Sequence, residues 1–519
     1  MLLNLCLLLC QEPAAAAAPV WTGYPEQDAL RYELTLAADF GISRLEGSAR
    51  ITVRVAAPTR VLRFDLRPSA GWDVRFEDAG GAALDVASSA HQVVVALGRE
   101  AAAGEEITVV ARMAGQPELG LVFEQSRDGD RFLVADPFGT NTRHWLPCED
   151  FVGDRAAWRL ELRVPRGLEA IGAGDWHETT REGDAMRTFV GATRADLPPT
   201  LFAFAAGPWQ RVAEDGDPRL RAHYVYAADV EAASEGLGRH AEWMEVMERT
   251  FGPYAWEKYV TAQVPTRWGG VEYPGNVWLA ENLYRQGDHG VGTLAHEFVH
   301  MWFGDGVGYA TWEHAWISEG FASYFGPWLH ADAGGLPLSS HLAGARRAWL
   351  RDRRARRLPV IWKEYPFPDA LFQVASSNTY QKGSWVLHML CDEVGDAAFF
   401  GGIAEWYRAH RGGVTTTDTL RAAVEAKAGR ELGWFFEQWL ERPNCPVLQV
   451  EPSDAGVAIL QVQEGEPFRF PLELAWKDAA GAAQSRRIEV VAARTAVELP
   501  AGWTDLQLDP DVKLLFEPR

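Results

Sequence analysis

The chain has 519 residues, of which 47% are apolar and 23% charged, and its formal net charge is −21. This balance is typical of a folded protein and excludes a disordered chain. The length corresponds to about three domains of ordinary size. A nucleic-acid-binding protein usually carries a basic patch or stripe. The basic runs here, such as residues 351–357, are short and fit a solvated helix face, so we expect no nucleic-acid partner.

Residues 1–19, MLLNLCLLLCQEPAAAAAP, have the composition of a leader followed by a linker. The apolar run is too short to cross a bilayer as a helix. With Ala14–Ala18 as a cleavage region it is similar to a secretory signal, although the basic start is missing. The run Leu7-Leu8-Leu9-Cys10 is also similar to a bacterial lipoprotein signal, except that Leu9 replaces a small residue. We expect export, with a possible N-terminal lipid anchor as the single membrane contact. A mis-started leader on a cytoplasmic protein is the alternative.

Residues 29–210 predict antiparallel β-sheets. Short runs in which apolar and polar residues alternate are separated by turns rich in glycine, proline and aspartate, which is typical of half-buried strands. The clearest alternating sets are Tyr32, Leu34 and Leu36; Ile51, Val53 and Val55; and Leu160, Leu162 and Val164.

Helical spacing dominates from about residue 215 to 440, and the last 75 residues or so return to β patterns. The fold class predicted is therefore multidomain α+β. It has a β-sheet domain over 20–212, a mostly helical domain over 213–441 and a small β-sandwich domain over 442–519. The predicted helices are 231–251, 291–303, 318–329, 382–394, 397–410 and 418–427, and the predicted late strands are 458–462, 470–476 and 487–491.

Three cysteines follow the leader, Cys148, Cys391 and Cys445, and they lie far apart without a C-x-x-C spacing. This pattern gives no metal site. We expect free buried thiols, and a single disulfide of unassigned pairing is the alternative.

The five residues His296-Glu297-Phe298-Val299-His300 form an H-E-x-x-H motif. On a helix, side chains four residues apart lie on one face, so both imidazoles can reach one Zn²⁺ at about 2.0–2.1 Å. Glu297 then lies beside the metal, where it can take a proton from water. The helix is supported by an apolar stripe and by a glycine that can end it: Val291, Leu294, Phe298, Met301 and Gly304.

A catalytic zinc needs a third protein ligand and an open position. Glu319, near the start of the next predicted helix and 19 residues after His300, is the candidate. Two histidines and one carboxylate form a hydrolytic zinc set. The alternative is that Glu319 complements the dipole at its helix N-terminus.

The wider pattern resembles the M1 (gluzincin) zinc aminopeptidases, the group that includes aminopeptidase N and leukotriene A4 hydrolase. The stretch HEFVHMWFGDGVGYATWEHAWISEGFASYFG keeps the family spacing of 18 residues between the second histidine and the glutamate. The resemblance extends over roughly residues 30–519 and is most specific over 290–326. It implies a thermolysin-like catalytic domain with one Zn²⁺ per chain, held by His296, His300 and Glu319.

The resemblance also implies residues that bind the substrate. The family motif G-x-M-E-N, whose glutamate grips the free α-amine, corresponds to Gly269-Gly270-Val271-Glu272-Tyr273, with valine and tyrosine in place of methionine and asparagine. Glu272, Gly269 and Gly270 are therefore the expected amine-binding residues. In Asn378-Thr379-Tyr380-Gln381-Lys382-Gly383 the matching tyrosine, Tyr380, is implied to donate a hydrogen bond to the tetrahedral intermediate.

Two further implications concern the edges of the cleft. The run 142–150, TRHWLPCED, matches a family segment, and counting back from it without a gap makes Asp136 a second amine contact. Cys148 is then structural and not a nucleophile. Many family members continue into a long helical domain that covers the cleft. This sequence stops after the small β domain, so we expect a more open site. Tyr273, Asp136 and Phe138 are the residues expected at the border of the side-chain pocket.

The expected function is hydrolysis of the N-terminal peptide bond by a zinc-activated water, with Glu297 as general base, Tyr380 as oxyanion donor and peptides with a free N-terminus as partners. An endopeptidase or another zinc hydrolase on the same site is the alternative among enzymes. A catalytically silent scaffold is the alternative outside them. The sequence leaves open the preferred N-terminal residue, the physiological substrate and the oligomeric state.

Overall fold

The computed structural model describes residues 23–519 except residues 68, 214–216, 237–238 and 454. The predicted leader and linker, with Cys6 and Cys10, and the predicted helical residue Leu237 lie outside the described residues.

The N-terminal part of the described chain is built from β-strands. A seven-stranded sheet has the order β12-β13-β10-β1-β2-β7-β4, beside a four-stranded sheet β11-β14-β9-β8 and a three-stranded sheet β3-β6-β5. The strands are β1 Gln27–Asp39, β2 Arg44–Val55, β3 Thr59–Asp65, β4 Trp72–Asp78, β5 Val86–Ser88, β6 Gln92–Ala101, β7 Glu106–Gly115, β8 Leu121–Gln125, β9 Arg131–Ala135, β10 Ala157–Pro165, β11 Glu169–Gly172, β12 Asp175–Glu178, β13 Met186–Ala192 and β14 Phe204–Gly207.

The alternation predicted for these strands is confirmed, because the apolar members of each set are buried, as Tyr32, Leu34 and Leu36 are on β1. The prediction of purely antiparallel sheets is wrong at one place. Strand β1 pairs with β10 in parallel, in the register Leu34 to Leu160. Alternation shows which face of a strand is buried but not the strand's direction, and parallel partners are joined by long crossovers that leave no local turn signal.

The mostly helical part of the chain begins with a sheet that the sequence pattern did not predict. Its order is β15-β16-β17-β19-β18, with β17 parallel to both β16 and β19. All six residues of β17 are buried, so both of its faces are covered and no alternation is visible. The predicted domain boundary at 212/213 falls between the paired strands β15 and β16. The strands are β15 Gln210–Val212, β16 Leu220–Val225, β17 Tyr259–Val264, β18 Gly270–Val271 and β19 Asn276–Ala280.

Helices follow, mostly where the sequence predicts them. The predicted helix 231–251 is two helices, and two glycines near the break, Gly236 and Gly238, disfavour a continuous one. The α-helices are α1 Val230–Gly236, α2 His240–Thr250, α3 Asp288–His300, α4 Trp316–Asp332, α5 Leu338–Arg351, α6 Ala370–Gln373, α7 Gly383–Val394, α8 Asp396–His410, α9 Thr417–Ala428 and α10 Gly433–Phe436.

Two π-helices, Asn378–Lys382 and Glu437–Glu441, directly precede α7 and follow α10. Short 3-10 helices connect other elements, and β20 Gly308–Tyr309 pairs in parallel with β21 Val414–Thr415. The 3-10 helices are Thr142–His144, Pro199–Leu201, Ala227–Asp229, Leu283–Arg285, Trp312–His314 and Ala355–Arg357.

The C-terminal part forms the predicted small β-sandwich. One sheet has the order β26-β23-β22-β28 and the other β25-β24-β27, and apolar residues of both, such as Ile459 and Leu474, are buried in one core. The strands are β22 Val447–Ser453, β23 Gly456–Gln461, β24 Phe470–Lys477, β25 Ala483–Val490, β26 Arg494–Glu498, β27 Thr504–Leu508 and β28 Glu517–Pro518.

The cysteines of the described chain, Cys148, Cys391 and Cys445, are free thiols, as expected. Cys148 and Cys445 are buried as predicted, whereas Cys391 is only partly buried. Within the same residues, none of the helices is both long enough and apolar enough to cross a membrane.

Candidate active site

Three side chains from α3 and α4 form a triangle at the inner end of the cleft. His296 and His300 lie one turn apart on α3, and Glu319 lies in the first turn of α4. The Nε2 atoms of His296 and His300 are 3.2 Å apart. Oε2 of Glu319 is 3.3 Å from Nε2 of His296 and 3.4 Å from Nε2 of His300. The structure therefore brings together the three ligands that the sequence predicted.

The triangle fits a tetrahedral metal ion. Ligand atoms at about 2.0–2.1 Å from a tetrahedral Zn²⁺ are about 3.3–3.4 Å from one another, and two imidazoles with one carboxylate are a catalytic zinc set. Oε2 of Glu319 is buried and, within the described chain, has no hydrogen-bond donor of regular geometry. A buried carboxylate oxygen without a donor is costly unless a cation binds it.

Neighbouring groups orient both imidazoles. Nδ1 of His300 lies 3.1 Å from the carbonyl oxygen of Phe303 and 3.0 Å from Oγ of Ser318. His296 is hydrogen-bonded to the backbone of Ala322. A proton on Nδ1 of His300 that is donated to the carbonyl leaves Nε2 free to bind a metal, which is how protein ligands to zinc are usually held.

The close packing of α3 on α4 depends on a small residue. A Cβ placed on Gly326 would lie 2.9 Å from Cα of His296, so a larger residue would push the helices apart. The apolar stripe on α3 packs into the hydrophobic core. Leu294, Phe298 and Met301 are buried, while Val291 is partly buried.

The pocket has a strongly negative character. Burial disfavours a charge on His300, but the carboxylates of Glu272 and Glu319 outweigh it and raise the pKa of His300 to about 10. Burial also disfavours ionised Glu319, yet the charge on His300 lowers the pKa of that carboxyl to about 2. A bound divalent cation takes the place of the shared proton, so the same charges favour a metal.

Glu297 packs against strand β18 and lies beside the triangle. A Cβ on Gly270 would lie 2.3 Å from Oε1 of Glu297, so this strand position must be glycine for the carboxylate to fit. Burial, with the negative charges of Glu272 and Glu319, raises the pKa of Glu297 well above its ordinary value. The carboxylate is thus held beside the ligand triangle and not within it.

Glu272 directly follows β18 and is buried. One ligand-type atom each of Glu272, Glu297 and His300 lies within 4.8 Å of the other two. Burial raises the pKa of Glu272 to about 7. The predicted amine-binding carboxylate therefore reaches the same end of the cleft as the predicted base.

Tyr380 lies in the π-helix Asn378–Lys382 and faces the metal ligands. Its ring is nearly parallel to that of His296, with an angle of 11° and a centroid distance of 6.2 Å. Burial and the charge of Glu319, followed by that of Glu272, raise the pKa of Tyr380 well above its ordinary value. The hydroxyl therefore stays protonated and can donate a hydrogen bond at neutral pH.

The sequence and the fold of this chain are similar to those of known zinc peptidases. The sequence model of the peptidase family M1 domain matches residues 236–439, which contain the whole triangle, Glu272 and Tyr380. A crystal structure of an M1 zinc metallopeptidase mutant from Deinococcus radiodurans, bound to a Tyr-Ser-Ala substrate, superposes with a TM-score of 0.69 and 25% identity. It covers 82% of this chain, and this chain covers 96% of it. Residues 236–439 thus match the M1 peptidase domain, and the chain is similar in fold to an M1 zinc metallopeptidase.

Two curated relatives show the extent of the similarity. Aminopeptidase N of Streptomyces lividans is 30% identical over 323 residues, which is 57% of this chain and 36% of the relative. Tricorn protease-interacting factor F2 of Thermoplasma volcanium is 24% identical over 375 residues, 66% of this chain and 45% of the relative. The chain thus spans less than half the length of these two relatives.

The cleft has a volume of about 730 Å³. Gly269, Gly270 and Glu272 line it together with His296 and Glu319 of the triangle, and helix α5 forms a further part of its wall. Helix α5 was not among the predicted helices, although Leu338, Leu342 and Trp349 have helical spacing. Gly269 has room for a side chain, because its Cβ would meet only Cγ2 of Thr293, at 4.0 Å.

Asp136 and Tyr273 do not line the cleft, contrary to the expectation for both. Tyr273 is fully buried, and its hydroxyl donates a hydrogen bond of 2.7 Å to Oδ1 of Asp136. Asp136 is still close enough to Glu272 for its charge to disfavour ionisation there. The ungapped count from the 142–150 run finds a residue close to Glu272, and the role of Asp136 as a second amine contact stays a prediction.

Phe138 does line the cleft, as expected, and it belongs to an aromatic group that the sequence did not indicate. Its ring centroid is 6.0 Å from that of Trp268 and 5.0 Å from that of Phe372, in edge-to-face geometry. Trp268 directly precedes Gly269 and could have been found from that position. Phe372 lies on the short helix α6, more than 200 residues from Phe138, and carries no local signal.

An arginine and an aspartate behind Glu272 were also missed. Arg155 and Asp305 line a cavity of about 20 Å³ together with Glu272. Within the described chain, both carboxylate oxygens of Asp305 and both terminal nitrogens of Arg155 are buried without a hydrogen-bond partner. A single cavity of this size has room for about one water molecule. Arg155 comes from the N-terminal β part of the chain and Asp305 from the turn after α3, so residues of both parts enclose this cavity.

Proposed function

We propose that this chain is a zinc-dependent aminopeptidase that removes the first residue from peptides with a free amine. The observation that carries the proposal is the position of Glu272, whose carboxylate lies within 4.8 Å of the ligand-type atoms of Glu297 and His300. A buried ammonium group requires a charge partner. A carboxylate so close to the reacting groups therefore favours a substrate whose chain begins there.

Zinc is the metal that the donor set supports best, with His296, His300 and Glu319 as its ligands. When bound, it supplies a Lewis acid that polarises the scissile carbonyl and makes a nearby water acidic. The remaining chemistry belongs to side chains of this protein.

Glu297 acts as the general base in this proposal. Its carboxylate, fixed against Gly270, takes a proton from the attacking water and passes it to the departing amine. Burial disfavours the ionised form of Glu297, so its carboxylate binds a proton more strongly than an exposed glutamate does. Substitution of Gln for Glu297 keeps the shape but removes this capacity.

Tyr380 stabilises the charge that develops on the carbonyl oxygen. Its protonated hydroxyl faces the end of the cleft where Glu319 and His296 lie, and it donates a hydrogen bond to that oxygen. One such donor is worth about 3 kcal/mol in acyl-transfer enzymes. Glu272 anchors the ammonium group and so fixes which peptide bond meets these residues.

The first side chain of the substrate would pack on the aromatic group. Its Cα is bonded both to the ammonium group and to the scissile carbonyl carbon, so the side chain must project close to Glu272. Phe138 lines the cleft and the small cavity, both beside Glu272. The substrate in the Deinococcus radiodurans structure, Tyr-Ser-Ala, also begins with an aromatic residue. We therefore propose a preference for large apolar or aromatic N-terminal residues.

A panel of aminoacyl chromogenic amides, assayed with and without a chelator, tests the proposal. We expect hydrolysis that is fastest for phenylalanyl, tyrosyl and leucyl amides, that is lost on chelation and that returns with zinc. Glu297→Gln should retain zinc and lose nearly all turnover. Substantial activity in that zinc-loaded variant would refute the assignment of the base.

Peptides with an acetylated N-terminus separate the alternatives. An aminopeptidase that depends on Glu272 leaves them intact, whereas an endopeptidase on the same site cuts both forms. A purified protein that binds no metal and cleaves neither form would indicate a scaffold. Export of the protein, with or without a lipid anchor, stays a prediction from residues 1–19.

A further inference from the structure

Helix α4 carries Glu319, and helix α7 begins shortly after Tyr380. The two helices contact each other through Gly320 on α4 and Gly383 on α7. A Cβ on Gly320 would lie 3.0 Å from Cα of Gly383 and 3.1 Å from its carbonyl carbon. A Cβ on Gly383 would in turn lie 3.0 Å from Cα of Gly320. The two backbones are therefore in direct contact, and a side chain on either residue would require them to move apart.

The contact lies beside the catalytic groups. Gly320 immediately follows the metal ligand Glu319, and Gly383 is three residues after Tyr380, at the first position of α7. A Cβ on Gly320 would also lie 3.4 Å from the carbonyl oxygen of Thr379, the residue before Tyr380. A displacement at this contact would thus change the spacing between the metal ligand and the tyrosine.

The π-helix that carries Tyr380 is also fixed by buried polar contacts. Oδ1 of Asn378 accepts a hydrogen bond of 2.8 Å from Nε1 of Trp349, and Nδ2 of Asn378 donates to the carbonyl oxygen of Ala355 at 2.7 Å. Nζ of Lys382 donates to the carbonyl oxygen of Arg442 at 3.0 Å. With both ends held, the helix cannot relax freely away from a change at Gly383. π-helical turns are often retained where they place a functional side chain.

We propose that the Gly320–Gly383 contact is a positioning joint that sets the distance of the Tyr380 hydroxyl from the metal ligands. The inference rests on the proposed function, because its main readout is turnover. Neither glycine touches substrate. Both act through the side chains next to them.

Gly383→Ala is the direct test. A contact of 3.0 Å must open by a few tenths of an ångström to admit a methyl group. Since a misplacement of about 1 Å costs about 100-fold in rate, we expect kcat to fall about tenfold with little change in KM or zinc content. Stability should not fall in parallel, because alanine is favoured over glycine inside helices. Gly401→Ala on α8 is the matched control, since its Cβ would meet only the side chain of Lys427, at 3.8 Å.

A double-mutant cycle with Tyr380→Phe distinguishes positioning from general damage. If the joint acts through the hydroxyl, Gly383→Ala costs about tenfold in the wild-type background and almost nothing once the hydroxyl is gone. An equal loss in both backgrounds, or full activity of Gly383→Ala, would overturn the proposal. Gly320→Ala adds a methyl group to the same contact from the other helix, so its loss of activity should also depend on the Tyr380 hydroxyl. This variant tests the proposal if Gly383→Ala does not fold.

Crystal structures of wild type and Gly383→Ala decide the inference without reference to turnover. We expect Tyr380 to move relative to Glu319 while the His296–His300 pair keeps its geometry. If the wild-type protein hydrolyses none of the amides, the proposed function fails, and this structural comparison still judges the joint. An unchanged position of Tyr380 in a folded Gly383→Ala protein would show that the contact does not set it.

Discussion

The hydroxyl of Tyr273 donates a hydrogen bond of 2.7 Å to Oδ1 of Asp136, and it does so from a fully buried position. The Asp136 side chain that accepts this bond is not among the described residues that line the cleft. Tyr273 occupies the position where the family motif has asparagine, so the departure from the motif and the hydrogen bond to Asp136 are parts of one arrangement. In the proposed function, Glu272 is the carboxylate that meets the substrate's ammonium group.

This division of roles predicts unequal effects for two similar substitutions. Glu272→Gln should lower kcat/KM for aminoacyl amides about 10- to 100-fold, because a hydrogen bond to a charged group contributes about 1.5–3 kcal/mol. Asp136→Asn keeps an acceptor for Tyr273 and should change kcat/KM less than about threefold. Steady-state kinetics on one phenylalanyl amide measure both. Equal losses in the two variants would place Asp136 in the amine pocket after all.

Gly270 and Glu297 provide a second prediction. A Cβ on Gly270 would lie 2.3 Å from Oε1 of Glu297, too close to be tolerated, so Gly270→Ala must displace the base. We expect kcat to fall about 100-fold while zinc is retained, since a shift of about 1 Å in a reacting group has that effect. Gly269→Ala is the neighbouring control, because its Cβ would be 4.0 Å from the closest atom, Cγ2 of Thr293. Similar losses in both variants would mean that the strand, and not the base, is affected.

Metal removal should lower stability as well as activity. A ligand that binds only the folded state stabilises it by RT ln(1 + [L]/Kd), about 4 kcal/mol when free zinc is a thousand times Kd. Calorimetry with and without a chelator should therefore show a higher Tm for the zinc-loaded protein. His300→Ala removes a ligand and should abolish this difference. A Tm that responds to zinc equally in wild type and His300→Ala would place the metal elsewhere.

The parts of this site that are local in sequence could be predicted, and those made by crossing elements could not. His296, Glu297 and His300 follow from the H-E-x-x-H motif, and Glu319 and Tyr380 follow from the resemblance of the short segments around them to the M1 family. The contact of Gly320 with Gly383, the approach of Phe372 to Phe138 and the parallel pairing of β1 with β10 depend on tertiary packing. Contacts between residues that are far apart in sequence leave no local pattern from which they could be predicted. A strand that is buried on both faces, such as β17, also lacks the alternation of apolar and polar residues that indicates a strand.

Buried acids at the edge of the N-terminal domain predict a pH-dependent stability. Burial, reinforced by the charge of Asp154, raises the pKa of Glu149 to about 9, and burial, reinforced by Asp28, raises that of Asp154 to about 8. Oε1 of Glu149 accepts a hydrogen bond of 2.7 Å from the backbone of Tyr24. Both groups are thus protonated in the folded protein at neutral pH, whereas in the unfolded chain they titrate near 4.

The sign of the effect follows from proton binding. Between about pH 4 and pH 9 the folded state holds more protons than the unfolded state, so the free energy of unfolding falls as pH rises through this range. The stabilisation that comes from proton binding by Glu149 and Asp154 is fully present below pH 4 and is lost once the pH passes their pKa values in the folded state. Glu149→Gln cannot ionise and should flatten the decline in Tm between pH 6 and pH 9. Glu182→Gln, at an exposed turn, is the control and should keep the wild-type slope. If both variants follow the wild-type curve, the buried pair does not control alkaline stability.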